Sequence, residues 1–185
     1  MISIIYGGNQ EGICFDIYQS ILSQLDNNNI RNINLQYENI SLTLPHGYHS
    51  QITEQQMELI ESIHSSDTLI FIYPLYWFNM TPIMKSFIDQ VFWPEYAFSF
   101  KEKQYFKKGL WKNKKAIIVY TQGGPEIFHK LNKRLGYQVL KYPLHLSGIY
   151  NIKTYHLDNL NRSKQQRYKI TKRINNIAHQ IAKQV

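Results

Sequence analysis

The sequence predicts an α/β protein: a doubly wound, five-stranded parallel sheet with strand order 2-1-3-4-5 and helices on both faces. Five short apolar runs alternate with segments whose apolar residues recur at helical spacing. The central run, residues 68–73, carries no charge, as is typical of a strand buried on both faces. The 185 residues, of which 43% are hydrophobic and 18% charged, suffice for one domain over residues 1–185 with a full-sized core.

The first half of the chain contains three predicted strands and two predicted helices. Three consecutive asparagines at 27–29 break the first helix, and Thr53 and Gln56 have the spacing of a capping box that begins the second. Residues 41–52, which include a proline and a glycine, are predicted to form a loop. The predicted elements are a strand at 2–6, a helix at 13–25, a strand at 32–37, a helix after Thr53 and a strand at 68–73.

The second half continues the alternation. Thr81 can cap a helix whose first residue is Pro82, and Trp93 with Pro94 ends it. An aromatic and basic segment at 96–115 precedes the fourth strand. The remaining predicted elements are a strand at 116–121, a less regular helix at 127–146, a strand at 150–155 and a helix at 163–182.

The chain is basic, with a formal net charge of +8, so nucleic-acid and membrane partners have to be considered. Much of the excess lies at 101–115 and 162–183. Isoleucines at 170, 174, 177 and 181 form one helical stripe surrounded by Lys and Arg, which indicates a terminal helix with a solvated outer face. Because the sequence contains no recognisable nucleic-acid-binding motif, we expect no nucleic-acid partner.

Other features of the sequence bear on the cellular compartment and on metal binding. A lone cysteine, Cys14, excludes an internal disulfide and fits a reducing cytoplasm. The sequence has no apolar run long enough to cross a bilayer and no signal-peptide pattern at its start, so we expect a cytoplasmic protein without a transmembrane segment. His46 and His49 have no third ligand close in sequence, so we expect no metal site.

The first of three strand-to-helix loops is rich in glycine. Ligands of doubly wound sheets bind at the carboxyl ends of the strands, where such loops lie. Residues 7–12 include three glycines and lead into a helix, so the backbone around Asn9 and Gly12 could receive a phosphate. Glu11 fits an anion site only if its carboxylate points away. The alternative is a glycine-rich turn without a ligand.

The second loop is the most informative stretch of the chain. It follows the third strand and consists of Pro74, Leu75, Tyr76, Trp77 and Phe78, with Pro82 shortly after. Three consecutive aromatic residues cannot all face one core. The loop is therefore predicted to hold a flat, π-rich ligand such as a flavin, with backbone amides from Leu75 to Phe78 donating to the polar edge of its ring.

The third loop follows the fourth strand and contains Thr121, Gln122, Gly123 and Gly124, with a proline after them. Two glycines permit close approach of the backbone to a ligand. A tight turn stopped by proline is the alternative. Since this loop should lie beside the second one in space, we expect it to form the other wall of the same pocket.

The second and third loops resemble those of the flavodoxin-like NAD(P)H:quinone oxidoreductase family. This family includes mammalian quinone reductases and short bacterial relatives, among them ancillary proteins of potassium-efflux systems. Residues 74–78 match its P-L-x-W-F/Y pattern, and residues 82–91 match the helix that follows. Residues 92–98 match a segment ending in F-A-F/Y, and residues 121–124 match T-T/Q-G-G. The similarity spans most of the chain.

The resemblance implies a tightly bound FMN or FAD on a homodimer with active sites at the subunit interface. It implies transfer of a hydride from NADH or NADPH to the flavin, and from there by a ping-pong mechanism to a quinone or similar small acceptor. The flavodoxin-like fold has the strand order predicted above.

The sequence also departs from the family pattern. Gly7, Gly8 and Asn9 replace an A-H-P sequence after the first strand, and residues 14–16 replace the Ser and Asn that usually bind flavin phosphates. The Tyr and His near the family's hydride acceptor correspond by offset to Phe128 and His129. His129 is therefore a candidate proton or hydrogen-bond donor, with a surface histidine as the alternative.

Two other functions stay open. The first is a flavodoxin-type electron carrier, although such carriers are typically acidic and lack the P-L-x-W pattern. The second is a flavoprotein regulatory subunit docked on a membrane potassium-efflux transporter, as among the short bacterial relatives. Co-purification with a membrane antiporter would favour the regulatory subunit.

Overall fold

The computed structural model describes residues 1–101, 109–131, 133–160 and 167–185, and these form a parallel sheet in the order β2-β1-β3-β4-β5. This order confirms the prediction. The strands are β1 (Ile2–Tyr6), β2 (Ile30–Asn34), β3 (Thr68–Pro74), β4 (Lys115–Thr121) and β5 (Asn151–Leu157). The helices are α1 (Ile13–Leu22), α2 (Glu54–His64), α3 (Pro82–Val91), α4 (Glu126–Leu131), α5 (Leu135–Leu146) and α6 (Arg167–Ala182).

The strand register brings the carboxyl ends together at one edge. Tyr6 at the end of β1 pairs with Ile72 of β3, and Ile72 pairs with Val119 of β4. Val119 in turn pairs with Tyr155 of β5. Because all neighbours are parallel and nearly level, the loops that leave β1, β3 and β4 emerge side by side. This edge is where the three candidate loops lie.

Two apolar layers hold the helices on opposite faces of the sheet, as predicted. On one face, buried residues of α1 and α6 such as Ile21 and Ile181 pack on β1, β3 and β4. On the other face, α2, α3 and α5 pack on the same strands through residues such as Ile60, Met84 and Leu140. Every residue of β3 is buried, which explains why this strand carries no charge.

Two threonines begin helices as the sequence predicts. Thr53 Oγ1 accepts a hydrogen bond from the backbone N–H of Gln56 at 3.2 Å and caps α2. Thr81 Oγ1 accepts from the N–H of Met84 at 3.4 Å and caps α3, with Pro82 at its first position. These caps set the start of each helix from local sequence alone.

The second strand lies earlier in the chain than the predicted 32–37. Ile30 pairs with Ile2 and Asn34 pairs with Tyr6, so β2 ends where the five residues of β1 end. Beyond that point Tyr37 N–H bonds to the carbonyl of Asn34, which turns the chain away from the sheet. Helix α1 also ends at Leu22, before the predicted residue 25.

The helix predicted at 127–146 is two helices. Lys133 and Arg134 have φ of 55° and 54°, and left-handed residues cannot continue a right-handed helix. The chain therefore breaks between α4 and α5, although the sequence has no glycine or proline there. The predicted start of the last helix at 163, and part of the segment at 96–115, lie outside the described residues. No helix within the described ranges is long and apolar enough to cross a membrane.

Candidate active site

The three loops enclose two adjoining clefts at the carboxyl edge of the sheet. The amino-terminal cleft, of about 200 Å³, is lined by Asn9, Glu11, Gly12, Ile13, Cys14, Pro74, Leu75, Tyr76, Thr121, Gln122, Gly123 and Leu160. The aromatic cleft, of about 320 Å³, is lined by Leu75, Trp77, Phe78, Gln122, Gly123, Gly124 and Pro125. The structure thus brings together all of the predicted cofactor-binding residues, and the two clefts share Leu75, Gln122 and Gly123.

Hydrogen bonds tie the first loop to its neighbours. The Gly7 N–H bonds to the carbonyl of Ile72 at 2.9 Å, and Thr81 Oγ1 donates to the carbonyl of Gly7 at 2.6 Å. Asn9 Nδ2 donates to the hydroxyl of Tyr76 at 2.8 Å, which links the first loop to the second across the amino-terminal cleft. The wall of this cleft is therefore held in place by the start of α3 and by the second loop.

The second loop is a tight turn that presents its aromatic rings to solvent. The backbones of Tyr76 and Asn79 exchange two hydrogen bonds of 3.0 Å, and between them Trp77 and Phe78 have φ of 49° and 64°. Positive φ at both central residues is the pattern of a type I′ turn, which usually contains Asn or Gly. Trp77 is 95% exposed and Phe78 61% exposed, so neither ring belongs to the core.

The third loop is anchored at both ends. The Leu75 N–H bonds to the carbonyl of Thr121 at 2.8 Å, which joins the second and third loops, and the Gln122 N–H bonds to the carbonyl of Leu157 at 2.9 Å. The Asn159 N–H bonds to the carbonyl of Gly124 at 2.9 Å. A Cβ placed on Gly124 would meet no atom within 4 Å, so this backbone faces open space in the aromatic cleft.

A buried donor lies between the clefts. The side-chain Nε2 of Gln122 is buried and has no hydrogen-bond partner. A buried amide without a partner is costly, so a ligand with an acceptor atom at this point would be stabilised. The lining of the aromatic cleft combines the Trp77 and Phe78 side chains with glycine backbone and Gln122, which suits a planar aromatic ligand that also carries acceptor atoms. The T-Q-G-G motif gave the position of Gln122, whereas the missing partner is visible only in three dimensions.

Cys14 lies at the start of α1 and is buried. Burial raises the pKa of its thiol to about 12, although hydrogen bonds with Thr121 and Tyr6 lower the pKa in part. The group is therefore a thiol at neutral pH, which makes it a poor nucleophile. This environment fits a packing residue at the floor of the amino-terminal cleft.

His129, Leu160 and the search for a metal site concern the surroundings of the two clefts. His129 lies in α4 after the third loop, but its side chain is outside the part that the structure describes. Leu160 was not predicted; it follows β5, and considering the carboxyl end of that strand could have found it. Among the described residues, no group of three His, Cys, Asp or Glu side chains is arranged to hold a metal ion.

Comparison with known proteins places this architecture in a family. A model of the family described as Flavodoxin-like fold matches residues 4–181. NAD(P)H dehydrogenase (quinone) 1 of Cavia porcellus is 34% identical over 80 residues, which cover 43% of this chain and 26% of the relative. FMN-dependent NADH:quinone oxidoreductase 1 of Jannaschia sp. is 28% identical over 109 residues, which cover 55% of each chain. The chain thus matches between about a quarter and about a half of the length of these relatives.

Solved structures show the same fold over nearly the whole chain. An FMN-dependent NADH-azoreductase from Bacillus anthracis in complex with FMN has a TM-score of 0.75 at 16% identity, covering 98% of both chains. The NAD(P)H:quinone oxidoreductase from Methanothermobacter marburgensis has a TM-score of 0.76 at 16% identity, covering 97% of this chain and 98% of that chain. At this level of identity the likeness concerns the fold alone.

Proposed function

The chain belongs to the family of the flavodoxin-like fold, and from that premise we propose that it is a flavin-dependent NAD(P)H oxidoreductase that reduces quinones or similar small acceptors. The observation that carries the proposal is the meeting of three loops in two clefts that share Leu75, Gln122 and Gly123. Ligands of doubly wound sheets bind at this edge. The names of the matched relatives, which are quinone oxidoreductases, support the reaction.

The proposed role of the aromatic cleft is to hold the flavin ring. Trp77 and Phe78 would cover the ring on one side, and the backbone of Gly123 and Gly124 would approach it on the other. The buried Nε2 of Gln122 would donate to an acceptor atom on the polar edge of the ring. A donor fixed in a site shielded from water also stabilises negative charge that develops there during reaction.

The bound flavin would supply the redox chemistry, by accepting a hydride from NADH or NADPH and passing it to the acceptor in a second half-reaction at the same site. The protein would orient the ring and leave one of its faces open to each substrate in turn. His129, in the helix after the third loop, stays a candidate proton donor. FMN is named for relatives from Jannaschia sp. and Hahella chejuensis and for the azoreductase complex, which supports FMN over FAD as the cofactor to test first.

A homodimer completes the proposal. Trp77 and Phe78 are exposed beside the aromatic cleft, and Ile127 and Leu131 of α4 are 64% and 74% exposed. Exposed large apolar side chains on neighbouring elements are typical of interaction sites when a partner covers them. A second copy that covers these residues would also close the open side of the aromatic cleft, so the active site would lie at the subunit interface.

The test is a visible absorption spectrum of the purified protein after incubation with FMN or FAD and removal of the free flavin. We expect a retained flavin spectrum that is bleached by NADH or NADPH without oxygen and restored by a quinone. Absence of retained flavin with either cofactor would contradict the proposal. Retention without bleaching would indicate an electron carrier instead.

Trp77→Ala tests the role of the aromatic loop. Because this ring is 95% exposed, its removal should not lower the stability of the protein, yet it should reduce flavin retention. Tyr168→Ala, at a 79% exposed aromatic residue of α6, is the matched control and should retain flavin as the wild type does. Equal flavin content in Trp77→Ala and wild type would refute the role assigned to the ring.

A further inference from the structure

We propose that Glu11 is a specificity-determining residue that weakens the affinity of the site for a terminal phosphate, so that the ring and ribityl chain of the flavin carry its binding. This inference rests on the proposed function and concerns the amino-terminal cleft.

The backbone of the first loop offers an ordinary anion site. The first intrahelical bond of α1 runs from the Asp16 N–H to the carbonyl of Gly12 at 2.9 Å, so the N–H groups of residues 13–15 point out of the helix end. Gly12 has φ of 91° and supplies no side-chain cap. Amides at a helix N-terminus attract negative charge, and a phosphate at the end of a ribityl chain would be drawn to them.

The side chains of the cleft oppose that attraction. Glu11 lines the cleft directly before the helix. Asp16, in the first turn of α1 but outside the lining of the cleft, adds a second negative charge to this end of the helix. Neither Lys nor Arg occurs among the described residues that line the cleft. A phosphate monoester carries about −1.5 to −2 charges near pH 7, so the Glu11 carboxylate repels it.

Part of the hydrogen-bonding capacity of Asn9 is already engaged. The side-chain amide of Asn9 donates to Tyr76, and the carbonyl of Asn9 accepts a hydrogen bond from the Tyr6 hydroxyl. One of the two side-chain N–H donors of Asn9 is therefore held by Tyr76, which leaves one neutral donor and no cation for a phosphate. Gln122, which lines both clefts, carries a buried side-chain amide without a partner, so the site also offers a neutral donor to an acceptor atom of the ring. The site is thus better matched to the uncharged part of a flavin than to its phosphate.

The experiment compares riboflavin, which lacks the phosphate, with FMN. Dissociation constants are measured by quenching of flavin fluorescence for wild type, Glu11→Gln and Glu54→Gln. The last variant makes the same change at an exposed carboxylate in the first turn of α2 and is the matched control. We expect wild type to bind the two flavins with similar affinity. Glu11→Gln should strengthen FMN binding by about threefold to tenfold, leave riboflavin binding unchanged and lessen with added salt.

Three results would overturn the inference. One is FMN binding to wild type at least tenfold tighter than riboflavin, and another is an equal effect of Glu11→Gln on both ligands. The third concerns Arg162 and Lys164, which follow Leu160 in the sequence and lie outside the described residues. A selective loss of FMN affinity in the double variant R162Q/K164Q would show that cations hold the phosphate. Failure of both flavins to bind would overturn the proposed function as well, whereas the three results above leave it standing.

Discussion

Gly124 and Gly136 show how the surroundings of a single residue decide its role. A Cβ on Gly136 would lie 2.6 Å from the ring of Tyr120, whereas a Cβ on Gly124 would meet nothing within 4 Å. Gly136→Ala should therefore destabilise the protein by about 1–3 kcal/mol through overpacking. Gly124→Ala should leave the free energy of unfolding unchanged. It should weaken flavin binding by about tenfold, because the methyl group would occupy space in the aromatic cleft that the flavin ring is proposed to fill.

Denaturant unfolding and flavin titration of the two alanine variants separate these effects. If Gly124→Ala bound flavin as wild type does, the third loop would be a turn and not a wall of the site. Loss of stability in Gly124→Ala would instead show that the loop backbone tolerates no side chain.

Cys14 makes stability depend on alkaline pH. Its thiol pKa rises from 9.0 in the unfolded chain to about 12 in the folded protein, so folding favours the neutral form. The resulting stability is complete below pH 9 and declines as the pH rises from 9 toward 12. Between pH 8 and pH 10 the wild type should lose about 1.4 kcal/mol more than Cys14→Ala does, because only the wild type has this thiol to deprotonate on unfolding.

Urea unfolding of wild type and Cys14→Ala at both pH values measures this difference. Burial also raises the pKa of Tyr73, which contributes equally in both proteins. The pKa of Tyr6 is raised by burial and in part by Cys14, so the comparison measures Cys14 together with its effect on Tyr6. A parallel decline of the two proteins would show that the thiol ionises normally in the folded state.

At the scale of elements, Thr81 links a helix to the site. It caps α3 as Thr53 caps α2, but it is also buried and donates to the carbonyl of Gly7 in the first loop. Thr53→Ala should cost about 1 kcal/mol, the usual value of a cap. Thr81→Ala should cost about 1–2 kcal/mol more, since it leaves a buried carbonyl without its donor.

Denaturant unfolding of the two threonine variants gives the difference, and flavin titration gives its consequence for function. Thr81→Ala should also bind flavin more weakly, because the first loop loses its tether, whereas Thr53→Ala should bind it normally. Equal stability losses would mean that the bond to Gly7 contributes nothing beyond the cap.

The turn at Trp77 and Phe78 holds backbone strain at the site. A left-handed conformation costs about 1–2 kcal/mol for an ordinary residue and little for Asn. Phe78→Asn should therefore raise the free energy of unfolding by about 1 kcal/mol while weakening flavin binding. Phe100→Asn, at a ring of similar exposure whose φ is not positive, is the control and should not stabilise the protein. A destabilised Phe78→Asn would show that the ring contributes more by packing than its backbone costs.

These elements also show what the sequence could predict. The charge-free strand, the caps at Thr53 and Thr81 and the three loops follow from local signals, because strands, caps and sheet edges obey local rules. The start of β2 could not be predicted from local signals, because pairing with β1 sets the register of this strand. The left-handed positions at Trp77, Lys133 and Arg134 are occupied by residue types that rarely adopt positive φ, so residue type did not reveal the turn or the break. The unpartnered amide of Gln122 required the positions of all its neighbours.

For the whole molecule, the two faces of the sheet differ in what they leave exposed. On the face of α1 and α6, the solvent-facing side of α6 is mostly polar, because this helix packs its isoleucines on the sheet and exposes its basic residues. Large apolar residues are exposed in several places, including Tyr168 of α6 and Tyr142 of α5, but those of the second loop and α4 are the ones near the site. Because a second copy there would also close the aromatic cleft, we expect association through the site end of the molecule and not through α6.

Multi-angle light scattering during size-exclusion chromatography tests this last prediction. We expect the wild type at twice its chain mass of 22.0 kDa. Leu131→Glu should yield monomers that bind flavin more weakly, because a charge at the interface cannot be desolvated cheaply and the second copy no longer closes the cleft. Tyr168→Glu, which makes the change at an exposed aromatic residue of α6, should remain a dimer. A monomeric wild type that binds flavin tightly would contradict the dimer and show that one chain builds the whole site.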